Sequence, residues 1–271
     1  MSPEKEGAAP EGPPRDLVRR RGQELAEAPQ DNLSTSHVLQ DRLVLPNIQE
    51  KAPTLIEPPV QDLLRVALSE RRLARYAPAA ADGAVSKSDM YLWNCALCEA
   101  FYLPLHIAEV TSRNTIHSAL LYKGERWYEN QTFRQLLDPH YRSELDKALA
   151  DERKQHGGAV DAHHLVSVLS MGFWQHMTTV RFERFLFPRG IQKTFRHAPW
   201  QKKRQNLHDI VEGLRRWRNR IAHHNAIFDK GPAARYQEAL DLIAWTSPDL
   251  SRWVAARSRV SQVINERPRG V

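Results

Sequence analysis

Apolar residues recur at helical spacing along most of the chain, and no stretch of useful length alternates as a strand would. From Pro58, the stripe Leu64, Val66, Ala67, Leu68, Leu73 and Tyr76 predicts a helix that stops at Pro78. After an Ala/Gly loop, Ser88 or Asp89 is expected to cap a long run through Trp93, Leu97, Phe101, Leu105, Ala108, Ile116 and Leu120, which ends at Gly124. Pro104 has no N–H and its ring clashes with the preceding turn, so it should kink or split that run. Further helices are expected over residues 141–155, stopped by Gly157 and Gly158, and over 162–187, with Gly172 at a bend. Three more are expected over residues 202–223, 233–245 and 250–266, with a basic loop across 188–199. Residues 1–53 open on MSPEKEGAAPEGPPR, too polar and Pro-rich to bury a core, and read as a flexible leader to a helical domain over 54–271. The fold class predicted is all-α.

Composition changes this picture little. The 271 residues are 41% hydrophobic and 26% charged, enough apolar material for a sizeable core. No run of about 18 apolar residues occurs, so a membrane span is not expected. No apolar stretch follows the N-terminal charges and only two cysteines are present, so a cytoplasmic protein is expected rather than a secreted, disulfide-bonded one.

Charge says more. The formal net charge is +7. Between Arg189 and His224 lie ten Lys and Arg residues against only Asp209 and Glu212, a local +8. The rest of the chain is therefore near neutral. A basic run concentrated in one segment suits a phosphate backbone, the alternative being a solvated basic face. Lys202, Lys203, Arg204, Arg215 and Arg220 are the candidates for touching such a backbone.

The segment LRRWRNRIAHHNAIF carries the candidate chemistry. At about 100° per residue from Leu207, the residues Ile210, Val211, Leu214, Trp217 and Ile221 fall in one sector between about 280° and 40°. Arg218 falls at about 20°, inside that stripe, where a guanidinium needs an ion-pair partner, a covering chain or a ligand phosphate. His223 falls at about 160°, so the two converge only if the helix breaks near Ala222 or a second copy supplies one of them.

RNRIAH, an Arg and a polar residue followed after three positions by His, resembles the signature of the HEPN superfamily, helical proteins that include toxin ribonucleases. RNRIAHHNAIF is similar to the C-terminal block of the Abi-like abortive-infection proteins. YLWNCALCEAFYLPLHIAEVTSRNTIHSAL and GFWQHMTTVRFERFLFP resemble the N-terminal and central blocks of the same family, so the likeness runs in order from about Leu63 to Asp229. Asn225 and Ala226 stand where Glu-Pro is commoner, and no tyrosine lies two places after His223, unlike the toxins silenced by nucleotidylation there. The resemblance implies a HEPN-type helical bundle with additional helices. It also implies a metal-independent endoribonuclease, a toxin or antiphage effector, that leaves 2′,3′-cyclic phosphate ends, works as a homodimer and uses no cofactor. An antitoxin, RNA or protein, is a further expected partner of unknown identity.

Cleaving RNA without a metal requires a base for the 2′-OH, a cation on the phosphorane oxygens and an acid for the leaving 5′-oxygen. Histidine titrates near neutrality and suits the proton transfers. Arginine stays ionised and offers a planar fork. His223 is assigned to proton transfer and Arg218 to charge stabilisation, with Asn219 orienting one of them and His224 a weaker candidate. One Arg and one His are half of what the reaction needs.

A candidate second half lies in EVTSRNTIHSA, where Glu109, Arg113 and His117, four apart, share a helix face with Asn114 beside them. The face could instead be a buried network holding its helix against the Arg218 helix. Cys95 and Cys98 have CxxC spacing without a second pair and read as core or semi-buried thiols. His163-His164 and His223-His224 lack a carboxylate frame, so no metal site is expected. Of the tryptophans, Trp93, Trp174, Trp217 and Trp245 read as core, whereas Trp200 sits in the basic loop as a base-stacking platform or a hydrophobic anchor.

Overall fold

The all-α expectation holds. A computed structural model describes residues 58–80 and 85–269, and among them it contains helices and turns with no strand. The leader expected over 1–53 lies outside the described residues. The helices are α1 (Pro58–Leu68), α2 (Glu70–Leu73), α3 (Lys87–Ala100), α4 (Tyr102–Leu121), α5 (Gln131–Leu136), α6 (Pro139–Gln155) and α7 (Ala162–Val168). They continue with α8 (Met171–His176), α9 (Glu183–Leu186), α10 (Arg204–Ala222), α11 (Pro232–Thr246), α12 (Pro248–Arg257) and α13 (Val260–Asn265).

The core is organised around α4 and α11. α11 packs on α4, α10, α12 and α13. It buries Tyr236, Ala239, Leu242, Ile243 and Trp245 against Leu105, Ala108, Ile116 and Leu120 of α4. Phe101, between α3 and α4, meets Trp217 of α10 at 5.2 Å between ring centroids and so anchors the candidate helix to this core. The division at Phe101 comes three residues before Pro104, where the missing N–H and the ring forbid an unbroken turn.

Several local expectations need correction. The helix expected from Leu64 to Pro78 is interrupted at Ser69, whose φ is 67°, and continues as α2 and a 3-10 turn over Ala74–Ala80 that contains Pro78. Leu73 and Tyr76 are buried, whereas Val66 of the expected stripe is exposed. The cap of α3 is Ser86, not Ser88 or Asp89: its hydroxyl accepts from the Asp89 N–H at 3.0 Å and the Asp89 carboxylate accepts from the Ser86 N–H at 3.2 Å. Ser88 is buried inside the helix. Residues 162–187 are not one helix. Glu144 of α6 accepts from the Ser170 N–H at 2.6 Å and the Ser170 hydroxyl accepts from the Phe173 N–H, which restarts the chain as α8. Gly172 marks a close approach and not a bend: a Cβ there would lie 3.2 Å from the Tyr141 hydroxyl. The last expected helix is divided into α12 and α13, and Trp93 donates from Nε1 to the Val263 carbonyl at 2.6 Å to hold α13 on α3.

Two helix ends are built alike. At α6, Gly157 takes φ 60° and the Gly158 N–H reaches back to the Arg153 carbonyl at 2.8 Å, as the glycine pair predicted. At α10 the same motif forms without glycine. The His224 N–H bonds the Ile221 carbonyl at 2.9 Å and the Asn225 N–H bonds the Arg220 carbonyl at 2.8 Å. His224 itself holds φ 55°, a left-handed conformation that costs a non-glycine residue about 1 kcal/mol or more.

Candidate active site and nucleic-acid interface

α10 places its apolar face as its periodicity predicted: Leu207, Val211, Leu214 and Trp217 are buried. Arg218 lies at the edge of that face with its side chain 50% exposed. Its Nε is 3.7 Å from Glu109 Oε2 on α4, and Arg113 Nη1 is 3.8 Å from the other oxygen of the same carboxylate. Both separations exceed a hydrogen bond, so Glu109 draws two guanidiniums together without saturating either fork. The arrangement leaves Arg218 with donors to offer an anion.

His117 does not join this group. It is buried among Trp127, Trp174 and His163, with ring centroids 6.0, 6.3 and 5.1 Å away. Burial, and then the neighbouring His163 imidazole, push its pKa down to about 4. A ring that stays neutral at physiological pH cannot act as a general acid there. Asn114 is exposed one position beyond Arg113. Of the candidate second half, the structure brings Glu109 and Arg113 to Arg218 and keeps His117 in an aromatic box.

The helix ends at Ala222, where one of the two routes to convergence needs a break. His223 is exposed and caps it, its N–H bonded to the Asn219 carbonyl at 3.0 Å. Among the described residues no hydrogen bond or ion pair joins its imidazole to Arg218. What positions His223 is the loop that follows. Asn94 of α3 is buried and its Oδ1 accepts from the Ile227 N–H at 2.8 Å and from the Phe228 N–H at 3.3 Å. Arg72 donates to the His224 carbonyl at 2.6 Å, and Arg75 pairs with Asp229. The Phe228 ring packs on Tyr76 at 5.3 Å. The exposed imidazole therefore stands on a backbone gripped from three sides. Asn94, Arg72 and Arg75 were not singled out by sequence reasoning. Asn94 does fall in the aromatic-Trp-Asn opening of the N-terminal block, which was the available signal.

The candidate RNA-binding residues separate into two groups. Arg215 spends two donors on Glu212, at 2.8 and 3.0 Å, and Arg220 donates to the Ala226 carbonyl at 2.7 Å. Arg204 is mostly buried, donates to the Thr178 carbonyl at 2.9 Å and lies 3.4 Å from Glu183. Lys202 and Lys203 are exposed and line a cleft of about 540 Å³ with Arg184 and Arg189. A second cleft of about 740 Å³ shares Arg189 and adds Lys123, Lys193 and Arg196, with no carboxylate in its lining. Lys123 is remote from the basic segment in sequence, and only packing reveals it, whereas Arg184 lies five positions before Arg189.

Trp200 stands beside these clefts 77% exposed, so it is not a hydrophobic anchor. The loop that carries it is pre-shaped: Gln192 donates from Nε2 to the carbonyls of Pro199, Trp200 and Lys202 at 3.0, 3.4 and 2.8 Å. Replacing both Lys202 and Lys203 with glutamine is expected to lower the slope of log affinity against log salt by about 1 to 2 for single-stranded RNA, with folding unchanged. Fluorescence anisotropy across a salt series reads this. An unaltered slope would move the phosphate track to other residues.

Cys95 and Cys98 are free thiols, and burial lifts Cys98 to about 11, which leaves it unreactive at neutral pH. The fold brings to His163-His164 a carboxylate that their sequence neighbourhood does not frame: Glu152 of α6 lies 3.3 Å from His164 Nδ1. No helix of the described residues is long and apolar enough to cross a membrane. No family model matches the chain, and no curated protein or solved structure matches it either.

Proposed function

We propose that this chain is a metal-independent endoribonuclease of the HEPN, Abi-like type, a growth-arresting toxin or antiphage abortive-infection effector that acts on RNA in the cytoplasm as a homodimer. The observation that carries the reading is that the end of one helix carries both an unsaturated arginine and, five residues on, an exposed histidine whose backbone is clamped. Arg218 supplies charge to the phosphorane oxygens, where preorganised donors act most strongly. His223 exchanges the proton of the 2′-OH or of the leaving 5′-oxygen. Asn219, half-buried between them in sequence, holds the His223 N–H through its carbonyl.

With His117 sequestered, a second chain is the source this reading assigns to the other proton-transfer group, the exposed His224 beside His223 being the weaker alternative within one copy. The test is cleavage of a defined RNA by purified protein in excess EDTA. Products ending in 2′,3′-cyclic phosphate are expected. Cleavage that appears only with added magnesium and leaves 3′-hydroxyl ends would overturn the reading.

A second reading is favoured by the carboxylate-free basic cleft and the exposed Trp200: a non-catalytic module that binds single-stranded RNA by phosphate contacts and base stacking. Salt-sensitive RNA binding without any cleavage selects it.

A further inference from the structure

The end of α6 and the start of α7 meet around a side-chain cluster that the ribonuclease reading does not use. Glu152 lies in the last turn of α6, His156 is the residue that caps that helix, and His164 lies in the first turn of α7, across the turn opened by Gly157 and Gly158. Glu152 Oε2 is 3.3 Å from His164 Nδ1 and 3.6 Å from His156 Nε2. All three atoms lie within 4.8 Å of one another.

Two features separate this cluster from an ordinary surface pair. The first is the burial of the carboxylate. The Glu152 side chain is only 7% exposed, while those of the two histidines are 45% and 54% exposed. Among the described residues no lysine or arginine nitrogen lies within 4.0 Å of that carboxylate, and its ion-pair partners are the two imidazoles. A buried carboxylate is costly unless a cation is held against it.

The second feature is the spacing. A tetrahedral ion with ligands at 2.0 to 2.1 Å requires about 3.3 Å between donor atoms, and both measured edges from Glu152 are close to that value. The remaining nitrogen of His164, Nε2, lies 4.0 Å from Asp161 Oδ2, beyond a hydrogen bond but on the side where metal-bound histidines commonly meet an outer carboxylate. Asp161 is itself fixed, its other oxygen accepting the His163 N–H at 2.8 Å as the cap of α7.

We propose that Glu152, His156 and His164 bind a divalent transition ion of the zinc class, which staples α6 to α7 and leaves a fourth coordination position open to solvent. Two imidazoles and one carboxylate are a donor set for zinc rather than for calcium or magnesium, which prefer all-oxygen sites. The staple would close the α6–α7 turn and neutralise the buried carboxylate. It is independent of the Arg218 and His223 chemistry, since no residue is shared.

The test uses the untagged full chain, freed of metal by chelation, and titration calorimetry with zinc chloride. One zinc ion per chain is expected, with a rise in the thermal midpoint. The visible absorption of tetrahedral cobalt should appear when Co²⁺ replaces zinc. His164→Ala and Glu152→Gln should each weaken zinc binding by more than about 100-fold, and Asp161→Asn, which keeps the helix cap, by about ten-fold. If Glu152→Gln does not fold, the exposed His156→Ala and His164→Ala variants decide. Wild-type protein that takes up no zinc at micromolar concentration, or binding that all these variants retain, overturns the site. RNA cleavage followed in EDTA separates the two proposals: loss of the staple lowers the thermal midpoint, whereas the ribonuclease reading fails only if a folded, metal-free chain does not cut.

Discussion

Replacing His223 with alanine is expected to lower RNA cleavage by about 10² to 10⁴-fold, the usual contribution of one proton-transfer group, with the fold intact. The fold should survive because the side chain is exposed and the helix-ending hydrogen bonds around it run through the backbone. Arg218→Ala should cost about 10² to 10³-fold by removing charge stabilisation, with a smaller effect on stability because its link to Glu109 is 3.7 Å long and half-exposed. The two variants also test where the second half of the site comes from. In co-expressed chains purified as a two-tag heterodimer, one partner contributes Arg218 and the other His223. Recovered cleavage means that one phosphate is served by both chains. A wild-type chain that is fully active as a monomer at nanomolar concentration would sink the dimer site. It would leave the Glu109 and Arg113 face as the internal alternative, with Arg113 the only cation it offers, because His117 is buried and held neutral.

Asn94→Ala is expected to destabilise the protein by about 2 to 4 kcal/mol, because two backbone N–H groups lose their acceptor and each buried orphan costs about 1 to 3 kcal/mol. The Ile227 N–H, at 2.8 Å, should account for most of this and the Phe228 N–H, at 3.3 Å, for less. The loop that these bonds close also carries His223, so cleavage should fall together with stability. The fall should exceed what the unfolded fraction explains. Urea unfolding combined with single-turnover cleavage measures both. A loss under about 0.5 kcal/mol, the range of an ordinary surface substitution, would mean that the loop holds itself without α3.

Much of the helical layout was legible because helices are local. A stripe repeating every three to four residues marks the buried face of α10 wherever that helix docks, and Leu207, Val211, Leu214 and Trp217 are buried as the wheel requires. Gly157 and Gly158 stop α6 for reasons contained in their own backbone. The breaks that were missed have non-local causes. Ser170 restarts the chain as α8 with Glu144, 26 positions earlier, accepting its N–H. Nothing in the spacing of residues 162–187 could report that.

The residue types of the candidate site and the concentration of positive charge were determined by the sequence itself, since composition and short spacing need no partner to be read. The all-α class and the stop of α10 near Ala222 belong with them. Tertiary packing decided the rest. It set Arg218 half-exposed on Glu109, turned His117 into an aromatic box, tied Arg204 and Arg215 to neighbouring groups and left Lys202, Lys203 and Trp200 free to meet a ligand. It also carried His164 to Glu152, two residues dismissed or ignored when read as a string. The physical reason is the same in each case. Periodicity records which face of an element turns inward, but which atoms from distant elements share the space there depends on how the elements dock.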